Sequence, residues 1–430
     1  MRVQYFAFLL LLLFDSVLGS DCVLNPLGEG QDDTDQVLTA IDVCGTDGTI
    51  TLNVGDFNIT RKMTWNLVRS KVDMFGYLNF VADFDYWLQE NSTYRVVFIQ
   101  SQASWFVVTG SDFVIDAHNQ GLFMAIATRP FQLICELGGI QGNGQPWWNH
   151  FAVNPRHDGD GRPIALTVYR ATNGTVKDFL IQSQPFWCNT VAESDGVVYD
   201  GMLCNATNTN PEFFGKNIVQ NTDGLDTYRS TNVQVLNWDI TNGDDCIAIK
   251  GNTTNLLINN ITCRAGGIAF GSLGQYVNLT DIVDNVTISN VLSTRINSTL
   301  EPNGGVGVYL KTWVGSIKGV PPISGGGGSG FVSNARFINV TLDDVDSPTL
   351  IDQLWEGNSS DIPSKMQISN LTWENWSGTA AANSTLVSLD CSPAFPCENL
   401  TFINFNVSVP SGEGAEYECS NAMNVTGITC

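Results

Sequence analysis

The chain has 430 residues, of which 43 are Asp or Glu and 20 are Lys or Arg, so its formal net charge at pH 7 is -23. This charge argues against nucleic acid or an anionic membrane as a partner. It suits a protein that works in an acidic medium, and an acidic polysaccharide would bind it better at low pH.

The N-terminal segment has the form of a secretory signal peptide. Met1-Arg2 precedes an apolar run from Phe6 to Phe14, and small residues follow at Gly19 and Ser20. This run is far shorter than the ~20 apolar residues of a membrane span. We therefore expect residues 1–20 to be removed and residues 21–430 to form a single extracellular domain.

Eleven cysteines in an oxidising compartment predict disulfide bonds with at least one thiol left over. Proximity along the chain suggests the pairs Cys22–Cys44, Cys188–Cys204, Cys246–Cys263, Cys391–Cys397 and Cys419–Cys430, with Cys135 as an inert buried thiol. The many Asn-X-Ser/Thr sequons predict a glycosylated surface. They begin at Asn58, Asn91, Asn173, Asn205, Asn252, Asn260, Asn278, Asn285, Asn297, Asn339, Asn358, Asn370, Asn375, Asn383, Asn399, Asn406 and Asn424.

The first predicted element is a capping helix around Thr34–Val43. Further along, alternating apolar residues predict strands at Phe113–Ala117, Ile164–Tyr169 and Val176–Ile181. We assign the aromatic pair Trp147-Trp148 to core packing. The three histidines lie far upstream of the acidic motifs described below, so we assign no catalytic role to His118, His150 and His157.

A seven-residue pattern recurs in the second half of the chain: Asn, apolar, any, apolar, any, Asn, apolar. Its copies start at Asn232, Asn255, Asn285, Asn334, Asn370 and Asn399, at intervals of 23, 30, 49, 36 and 29 residues. The apolar period of two excludes helical repeats, and the shorter intervals cannot hold a four-stranded propeller blade. The sequence therefore predicts an all-β right-handed parallel β-helix. The second Asn of each copy tolerates a bent backbone and could bond to its counterpart in the next coil.

Three stretches exceed what a coil needs: Met63–Phe106, Thr207–Gly215 and Asn297–Gly330. The last contains a glycine run between strand modules of the same type, which indicates a loop and not a linker between domains. Stacked coils leave a long groove that suits a polymer chain. The first and last stretches could close one end of that groove. A polymer would then enter by its terminus, so we expect an exo-acting enzyme.

Three carboxylates lie in two polar turns separated by one strand. The turns are Asn221-Thr222-Asp223-Gly224 and Asn242-Gly243-Asp244-Asp245-Cys246. Either turn alone is compatible with a purely structural role. Asp223 and Asp244 are 21 residues apart, close to one 23-residue interval, so we expect Asp223 and the Asp244-Asp245 pair to project from neighbouring coils into one patch. Hydrolysis of a glycosidic bond needs such a set, because one carboxyl gives a proton while another activates water.

The order of four motifs resembles the polygalacturonase-like family, glycoside hydrolase family 28, and its exo-acting fungal branch. The motifs are Asn221-Thr222-Asp223, Gly243-Asp244-Asp245, Gly266–Gly274 and Tyr309–Trp313. The resemblance implies an inverting hydrolase of plant cell-wall pectic polysaccharide that uses no metal or organic cofactor, and we expect a monomer. It makes Asp244 the general acid, and it makes Asp223 and Asp245 the residues that hold and deprotonate water. Inversion usually places acid and base ~6.5–9.5 Å apart, and crowding should raise the proton affinity of one carboxyl.

Two positions depart from the family pattern. Gly266 stands where the family has histidine, and Tyr309 stands where it has arginine. Arginine is the natural bidentate partner of a sugar carboxylate, so its absence favours a neutral sugar such as rhamnose. We therefore predict an exo-enzyme directed at rhamnogalacturonan, with exo-polygalacturonase as the alternative. Expected substrate contacts are Lys311, Tyr309, Asn221, Gln275 and Tyr276.

Two further interpretations remain open from the sequence. A polysaccharide lyase of the same architecture would need calcium-binding acids and a basic residue, but basic residues are scarce near these carboxylates. A non-catalytic carbohydrate-binding protein is the other alternative. The presence of all three carboxylates argues against it, because a binding module has little use for adjacent unpaired acids.

Overall fold

The computed structural model describes residues 19–119, 138–155, 161–410 and 416–430. The predicted signal peptide lies almost wholly outside these residues, as do Cys135 and His157. Within the described ranges, no helix has the length and apolarity required to cross a membrane.

Strands dominate the structure. In chain order they are β1 (Asp21–Leu24), β2 (Thr49–Leu52), β3 (Asp56–Ile59), β4 (Met63–Val68), β5 (Lys71–Met74), β6 (Tyr77–Phe80), β7 (Phe106–Ser111), β8 (Val114–Asp116), β9 (Gly139–Gln141), β10 (Leu166–Thr172), β11 (Thr175–Gln182), β12 (Asn189–Ala192), β13 (Val198–Asn205), β14 (Leu225–Tyr228), β15 (Gln234–Thr241), β16 (Ile247–Ile249), β17 (Thr253–Arg264), β18 (Ile268–Leu273), β19 (Thr280–Thr294), β20 (Val306–Trp313), β21 (Ser329–Val345), β22 (Ser347–Trp355), β23 (Lys365–Ala380), β24 (Val387–Asp390), β25 (Cys397–Ser408), β26 (Tyr417–Ser420) and β27 (Ala422–Thr426).

The described helices are few and short. They are α1 (Thr34–Cys44), α2 (Phe84–Trp87) and α3 (Gly144–Val153), with single 3-10 turns at Glu90–Ser92, Ile99–Ser101 and Pro211–Phe213. Helix α1 packs against β1, β2 and β4 at the N-terminal end of the stack, which agrees with the capping helix predicted around Thr34–Val43.

Two parallel sheets run the length of the molecule. One follows the order β1-β2-β5-β8-β11-β13-β15-β17-β19-β21-β23-β25-β27, with β3, β6 and β9 beside it. The other follows β4-β7-β10-β12-β14-β16-β18-β20-β22-β24-β26. Apart from the pair β1 and β2, each strand pairs with strands of the adjacent coils and not with its neighbour in sequence. The predicted right-handed parallel β-helix is therefore confirmed.

Alternating burial explains why these segments form coils. In β17 the residues point alternately into the core and outwards, as expected for a strand with one buried face. Aromatic rings stack between coils inside, as Trp373 and Phe402 do at 4.5 Å between ring centroids. Trp147 and Trp148 are fully buried on α3, which agrees with their assignment to the core.

Asparagines form ladders along the outer edges of the coils. The Nδ2 of Asn255 donates to Oδ1 of Asn232 at 3.1 Å, and Asn285 donates to Asn255 at 2.8 Å. Both Asn232 and Asn255 have a left-handed backbone, which asparagine tolerates better than most residues. A second ladder runs through the later asparagine of each seven-residue copy, for example from Asn375 to Asn339 at 3.1 Å.

Two of the predicted insertions are smaller than expected. The stretch Met63–Phe106 contains β4, β5 and β6, so only the segment from Val81 to Trp105 leaves the coil pattern. The stretch Asn297–Gly330 likewise contains β20. The prediction missed β4 although Met63, Trp65 and Leu67 are fully buried in strict alternation.

Five disulfide bonds link neighbouring coils or turns, and their pairing is the one suggested by proximity. They are Cys22–Cys44, Cys188–Cys204, Cys246–Cys263, Cys391–Cys397 and Cys419–Cys430. The third bond anchors the turn that carries two of the three acidic residues, because Cys246 directly follows Asp245.

Candidate active site

The candidate site lies on the outer face of the eleven-stranded sheet. Leu225 of β14 pairs with Ile247 of β16, and Asp223 and Asp245 each stand two residues before these partners. The register therefore stacks Asp223 on Asp245, one residue after Asp244. The coil is 22 residues long at this point, close to the 23-residue interval of the sequence pattern.

The three carboxylates nevertheless form one cluster. One oxygen from each of Asp223, Asp244 and Asp245 lies within 4.8 Å of the other two. Asp223 and Asp245 are each 3% exposed, whereas Asp244 is half-buried. This distance joins the nearest oxygens, whereas the ~6.5–9.5 Å of an inverting pair is measured between whole carboxyl groups. Oxygens this close can share one water molecule.

Backbone hydrogen bonds tie the two acidic turns together. The N–H of Asn221 donates to Asp244 Oδ2 at 3.0 Å, and the N–H of Asp245 donates to Asp244 Oδ1 at 2.9 Å. In the other direction, the N–H of Gly243 donates to Thr222 Oγ1 at 3.1 Å. These bonds fix the orientation of Asp244 through groups that belong to two successive coils.

Arg162 supports the first turn, and the sequence analysis did not identify it. Its Nη2 donates to Asn221 Oδ1 at 2.8 Å, and its Nη1 donates to the carbonyl of Gln220 at 2.7 Å. Asn221 adopts a left-handed backbone with φ of 57°. The predicted substrate contact Asn221 thus has its side-chain oxygen engaged by the protein.

Burial dominates the electrostatics of the cluster. It raises the pKa of Asp223 well above its usual range, and the neighbouring charges of Asp226, Asp244 and Asp245 raise it further. Burial also raises the pKa of Asp245, although the ammonium group of Lys311 opposes this shift. Groups this close exchange protons as a unit, so the cluster holds a proton to a higher pH than isolated carboxyls would.

Lys311 lies at the centre of the cleft floor. Its Nζ is 3.0 Å from Asp245 Oδ2 and donates to the hydroxyl of Tyr309 at 3.0 Å. The same ammonium group sits 4.7 Å from the ring centroid of Tyr309 and 5.1 Å from that of Trp355. Lys311 was predicted as a cation for a sugar subsite, but the structure shows its charge already paired with a carboxylate of the protein.

A second buried ion pair lies beside the cluster and was missed. Lys250 Nζ is 3.1 Å from Asp226 Oδ1, and both residues are at most 5% exposed. Burial raises the pKa of Asp226 to about 7, against the opposing charge of Lys250. The available signal was a single lysine at the end of the apolar strand Ile247–Ile249, where buried charge is unusual.

Glu301 approaches the second acidic turn from the segment that precedes β20. It is 2% exposed, and its Oε1 accepts a hydrogen bond from the N–H of Asn303 at 3.0 Å. Its Oε2 lies 2.9 Å from the point where a Cβ on Gly243 would be, so only glycine leaves room for this carboxyl. Burial raises the pKa of Glu301 to about 7, and the charge of Asp244 adds to the shift. Loops carry no periodicity, so this contact could not be inferred from the sequence.

The site has no room for a side chain at position 266. A Cβ on Gly266 would lie 2.4 Å from the carbonyl oxygen of Asp244 and 2.9 Å from the backbone nitrogen of Cys246. The acidic turn itself therefore occupies the space next to Gly266. A histidine here would require the turn to move, so its absence is coupled to the position of Asp244.

Gln275 and Tyr276 connect the cleft to the two irregular segments. The Nε2 of Gln275 donates to the carbonyls of Pro322 and Ser324, each at 3.1 Å. The hydroxyl of Tyr276 accepts a hydrogen bond from the N–H of Gln100 at 2.5 Å. Both segments thus meet at this pair, which also lines a small cavity together with Lys250 and Asp281.

Apolar contacts hold the first of these segments over the outer face of the sheet. Val97 and Ile99 pack with Phe186, Trp187 and Tyr228 in a cluster that is separate from the main core. Trp187 lies on the coil before Asp223, Tyr228 lies on the coil of Asp223, and Tyr276 from a later coil packs against the cluster. The segment between β6 and β7 therefore covers part of the sheet beside the acidic turns.

The two described histidines lie elsewhere. His118 bonds to Asp73 at 2.6 Å and stacks on Phe75 with 4.5 Å between ring centroids. His150 lies on α3 against Phe84. Neither histidine contacts the acidic cluster in the described structure.

Comparison with solved structures agrees with the fold. Endo-xylogalacturonan hydrolase from Aspergillus tubingensis matches with a TM-score of 0.74 at 22% identity, covering 95% of this chain and 98% of that one. Endopolygalacturonase I from Stereum purpureum matches with a TM-score of 0.61 at 19% identity, covering 95% and 99%.

Sequence relatives cover nearly the whole chain. A protein of Aspergillus niger provisionally named galacturan 1,4-alpha-galacturonidase A is 37% identical over 96% of this chain and 93% of its own. The exopolygalacturonase of Cochliobolus carbonum is 31% identical over 94% and 84%. Alpha-L-rhamnosidase rgxB of Aspergillus niger is 29% identical over 95% and 89%. Residues 116–430 match the family described as Glycosyl hydrolases family 28. With this match and its paired acidic turns on a parallel β-helix, the chain belongs to glycosyl hydrolase family 28 and is a glycoside hydrolase.

Proposed function

We propose that this protein is a secreted, monomeric exo-hydrolase of pectic polysaccharide that releases single sugars from the non-reducing end of rhamnogalacturonan. The observation that carries the proposal is the cluster of Asp223, Asp244 and Asp245, with the segment between β6 and β7 packed on the sheet beside it. In this proposal the segment closes one end of the cleft, which then admits a chain terminus but not the middle of a polymer. The names of the relatives, which include exo-acting galacturonases and a rhamnosidase, support the same class of substrate.

Within the cluster, Asp244 is the proposed general acid. It is the most exposed of the three carboxyls, so it can reach the oxygen of a glycosidic bond. Asp223 and Asp245 lie deeper, where burial raises the pKa of both carboxyls and the charges of Lys250 and Lys311 oppose that rise. These two carboxylates would hold the attacking water between them and remove its proton. The expected product has inverted configuration at the anomeric carbon, which proton NMR of the first product formed would show.

The leading terminal sugar is rhamnose, because the two buried lysines that the structure describes near the acidic cluster are both paired with acids of the protein. Lys311 is paired with Asp245, and Lys250 is paired with Asp226. Tyr309 replaces a guanidinium group and offers a ring with a hydroxyl, which suits the face of a neutral sugar. Galacturonate is the alternative, favoured by the names of the relatives from Aspergillus niger and Cochliobolus carbonum.

The deciding experiment uses rhamnogalacturonan oligomers that end in either rhamnose or galacturonate at the non-reducing end. Rhamnose released from the first set, with the second set left intact, supports the leading proposal. Galacturonate released from the second set alone supports the alternative. Mixed oligomers in the first minutes, instead of a monosaccharide, would contradict exo action.

A further inference from the structure

Lys250 stands out as a buried charge in a strand that otherwise contributes to the apolar core. It directly follows Ile249 of β16, and its side chain is 6% exposed. Its ammonium group is held by Asp226 at 3.1 Å and lies 5.4 Å from the ring centroid of Trp187. The cavity beside Gln275 and Tyr276 opens next to it.

Stability alone does not account for this pair. Replacing a buried ion pair by well-packed apolar residues is often neutral or stabilising, because both charges lose their hydration. The neighbouring coils place Ala248 and Ala269 in register with Asp226, so the same face of the sheet accepts small apolar residues. A buried lysine retained beside an acidic cluster therefore points to a role in the chemistry.

We propose that Lys250 is a positioning residue whose ammonium group, held in place by Asp226, keeps the water-holding carboxylate of Asp223 ionised during the reaction. The inference rests on the role proposed above for Asp223. Lys250 does not touch the reacting atoms, and it acts through the charge that it places on the cleft floor.

The surrounding charges show why a cation is needed there. Burial and the charges of Asp226, Asp244 and Asp245 all raise the pKa of Asp223, whereas the charge of Lys250 lowers it. The other charged groups that face Lys250 are Asp245, Lys311 and Asp281. A buried carboxyl without a nearby cation stays protonated and cannot take a proton from water.

The two buried lysines lie near the proposed bases, and neither is paired with the proposed general acid. Lys311 is 3.0 Å from Asp245, and Lys250 is 3.1 Å from Asp226, which lies three residues after Asp223 on the same coil. Each proposed base thus has a buried lysine nearby. Within the described parts of the chain, Asp244 forms no ion pair.

The test isolates the cation by comparing two variants that share the same substitution at position 226. Asp226→Asn retains Lys250, and the double variant Lys250→Met/Asp226→Asn lacks it while leaving no buried carboxylate unpaired. For each variant, kcat/KM for release of the terminal sugar is measured from pH 3 to pH 8. We expect the acid limb of the double variant to lie about one pH unit above that of Asp226→Asn, with a loss of about tenfold at the acid end. Lys250→Arg keeps the charge and should retain the limb of the native enzyme.

Each outcome has a defined meaning. Coincident acid limbs in the single Asp226→Asn variant and the double variant, with both active, would overturn the role of Lys250. If the double variant is not secreted, Lys250→Gln in the native background replaces it, because glutamine can still donate to Asp226, and the same upward shift is expected. Asp223→Asn is measured in parallel. Retention of full activity by that variant would instead refute the proposed function, since the water-holding role of Asp223 would then be absent.

Discussion

The asparagine ladders and the cleft floor are built from the same coils, but they treat polar groups in opposite ways. Along the ladders, each amide bonds to the amide of the previous coil, as Asn285 does to Asn255 at 2.8 Å. On the cleft floor, carboxyls are crowded and buried, and Asp223 Oδ1 has no hydrogen-bond partner among the described residues. Stacked coils can satisfy the hydrogen bonds of repeated amides. Buried carboxyls without such partners lower stability, and we interpret their presence in the cluster as a requirement of catalysis.

The same contrast appears in glycine use. Gly243 and Gly266 leave space that other residues fill, namely the carboxyl of Glu301 and the backbone of the acidic turn. On the ladder edge, the left-handed positions are held by asparagine, which contributes hydrogen bonds as well as the bend. The cleft thus depends on close approach between segments, and the ladder depends on repetition.

The largest expected effect is on catalysis at the cleft. Asp244→Asn removes the proposed proton donor but keeps the size of the side chain, so kcat should fall by about 10²–10⁴-fold. The unfolding temperature should fall by a few degrees, because Asp244 accepts backbone N–H groups on both oxygens, from Asn221 and from Asp245, and the amide of asparagine keeps only one acceptor. Initial rates of monosaccharide release and thermal unfolding check both parts. Undiminished release by this variant would remove Asp244 from the mechanism.

The next effect concerns the disulfide bond that joins the second acidic turn to strand β17 of the ladder sheet. The bond Cys246–Cys263 closes a 17-residue separation directly behind Asp245, so Cys246→Ser/Cys263→Ser should lower the free energy of unfolding by about 3 kcal/mol. Because the acidic turn loses its anchor, kcat should fall as well. Denaturant unfolding and initial rates measure the two effects.

The matched control for this change is the bond Cys419–Cys430, which closes an 11-residue separation at the far end of the solenoid. Cys419→Ser/Cys430→Ser should cost stability but leave kcat unchanged. Equal losses of kcat in both double variants would show that the acidic turn does not depend on its local disulfide.

A third effect concerns pH and the buried carboxyl of Glu301. Its pKa is raised from 4.5 to about 7 in the folded protein, so the unfolded chain releases this proton more readily. Folding therefore loses stability as pH rises from about 4.5, and the full cost of at most about 3 kcal/mol is reached above pH 7. Glu301→Gln removes that cost, so the variant should be more stable than the native protein at pH 8 and equal to it at pH 4. Unfolding temperatures at the two pH values test this, and an equal difference at both would show a packing effect instead.

The fold was predictable from the sequence because its signal is repeated many times. Each copy of the seven-residue pattern has the same alternation of apolar residues. The copies at Asn255 and Asn370 therefore both predict a strand of the same kind, although the intervals between copies differ. Strand β4 was missed because it precedes the recognisable copies and does not have their seven-residue pattern. The same spacing argument predicted that Asp223 lies close to the Asp244-Asp245 pair of the second turn, and the register places it on Asp245.

The rest of the candidate site depends on contacts that no periodicity encodes. Asp226 and Lys250 are buried because Trp187 and the cluster of Val97 and Ile99 cover that part of the sheet, and loop placement cannot be read from alternation. Glu301 reaches Gly243 from a segment whose path is set by tertiary packing. Sequence reasoning therefore found the acids that lie in motifs and missed the charges that surround them.

The smallest expected effect tests the ladder edge itself. Asn290 is suitable because it lies outside any sequon, donates to Asn259 Oδ1 at 2.8 Å and accepts from Asn339 at 3.2 Å. Asn290→Gly keeps the left-handed backbone at φ of 56° and loses only the exposed amide bonds, so it should cost about 1 kcal/mol of unfolding free energy. Asn290→Ala should cost about 1 kcal/mol more, because alanine is strained in that conformation. Both variants should retain full activity, since the ladder edge is separate from the cleft. A fall in kcat in either would show that the two regions are mechanically coupled.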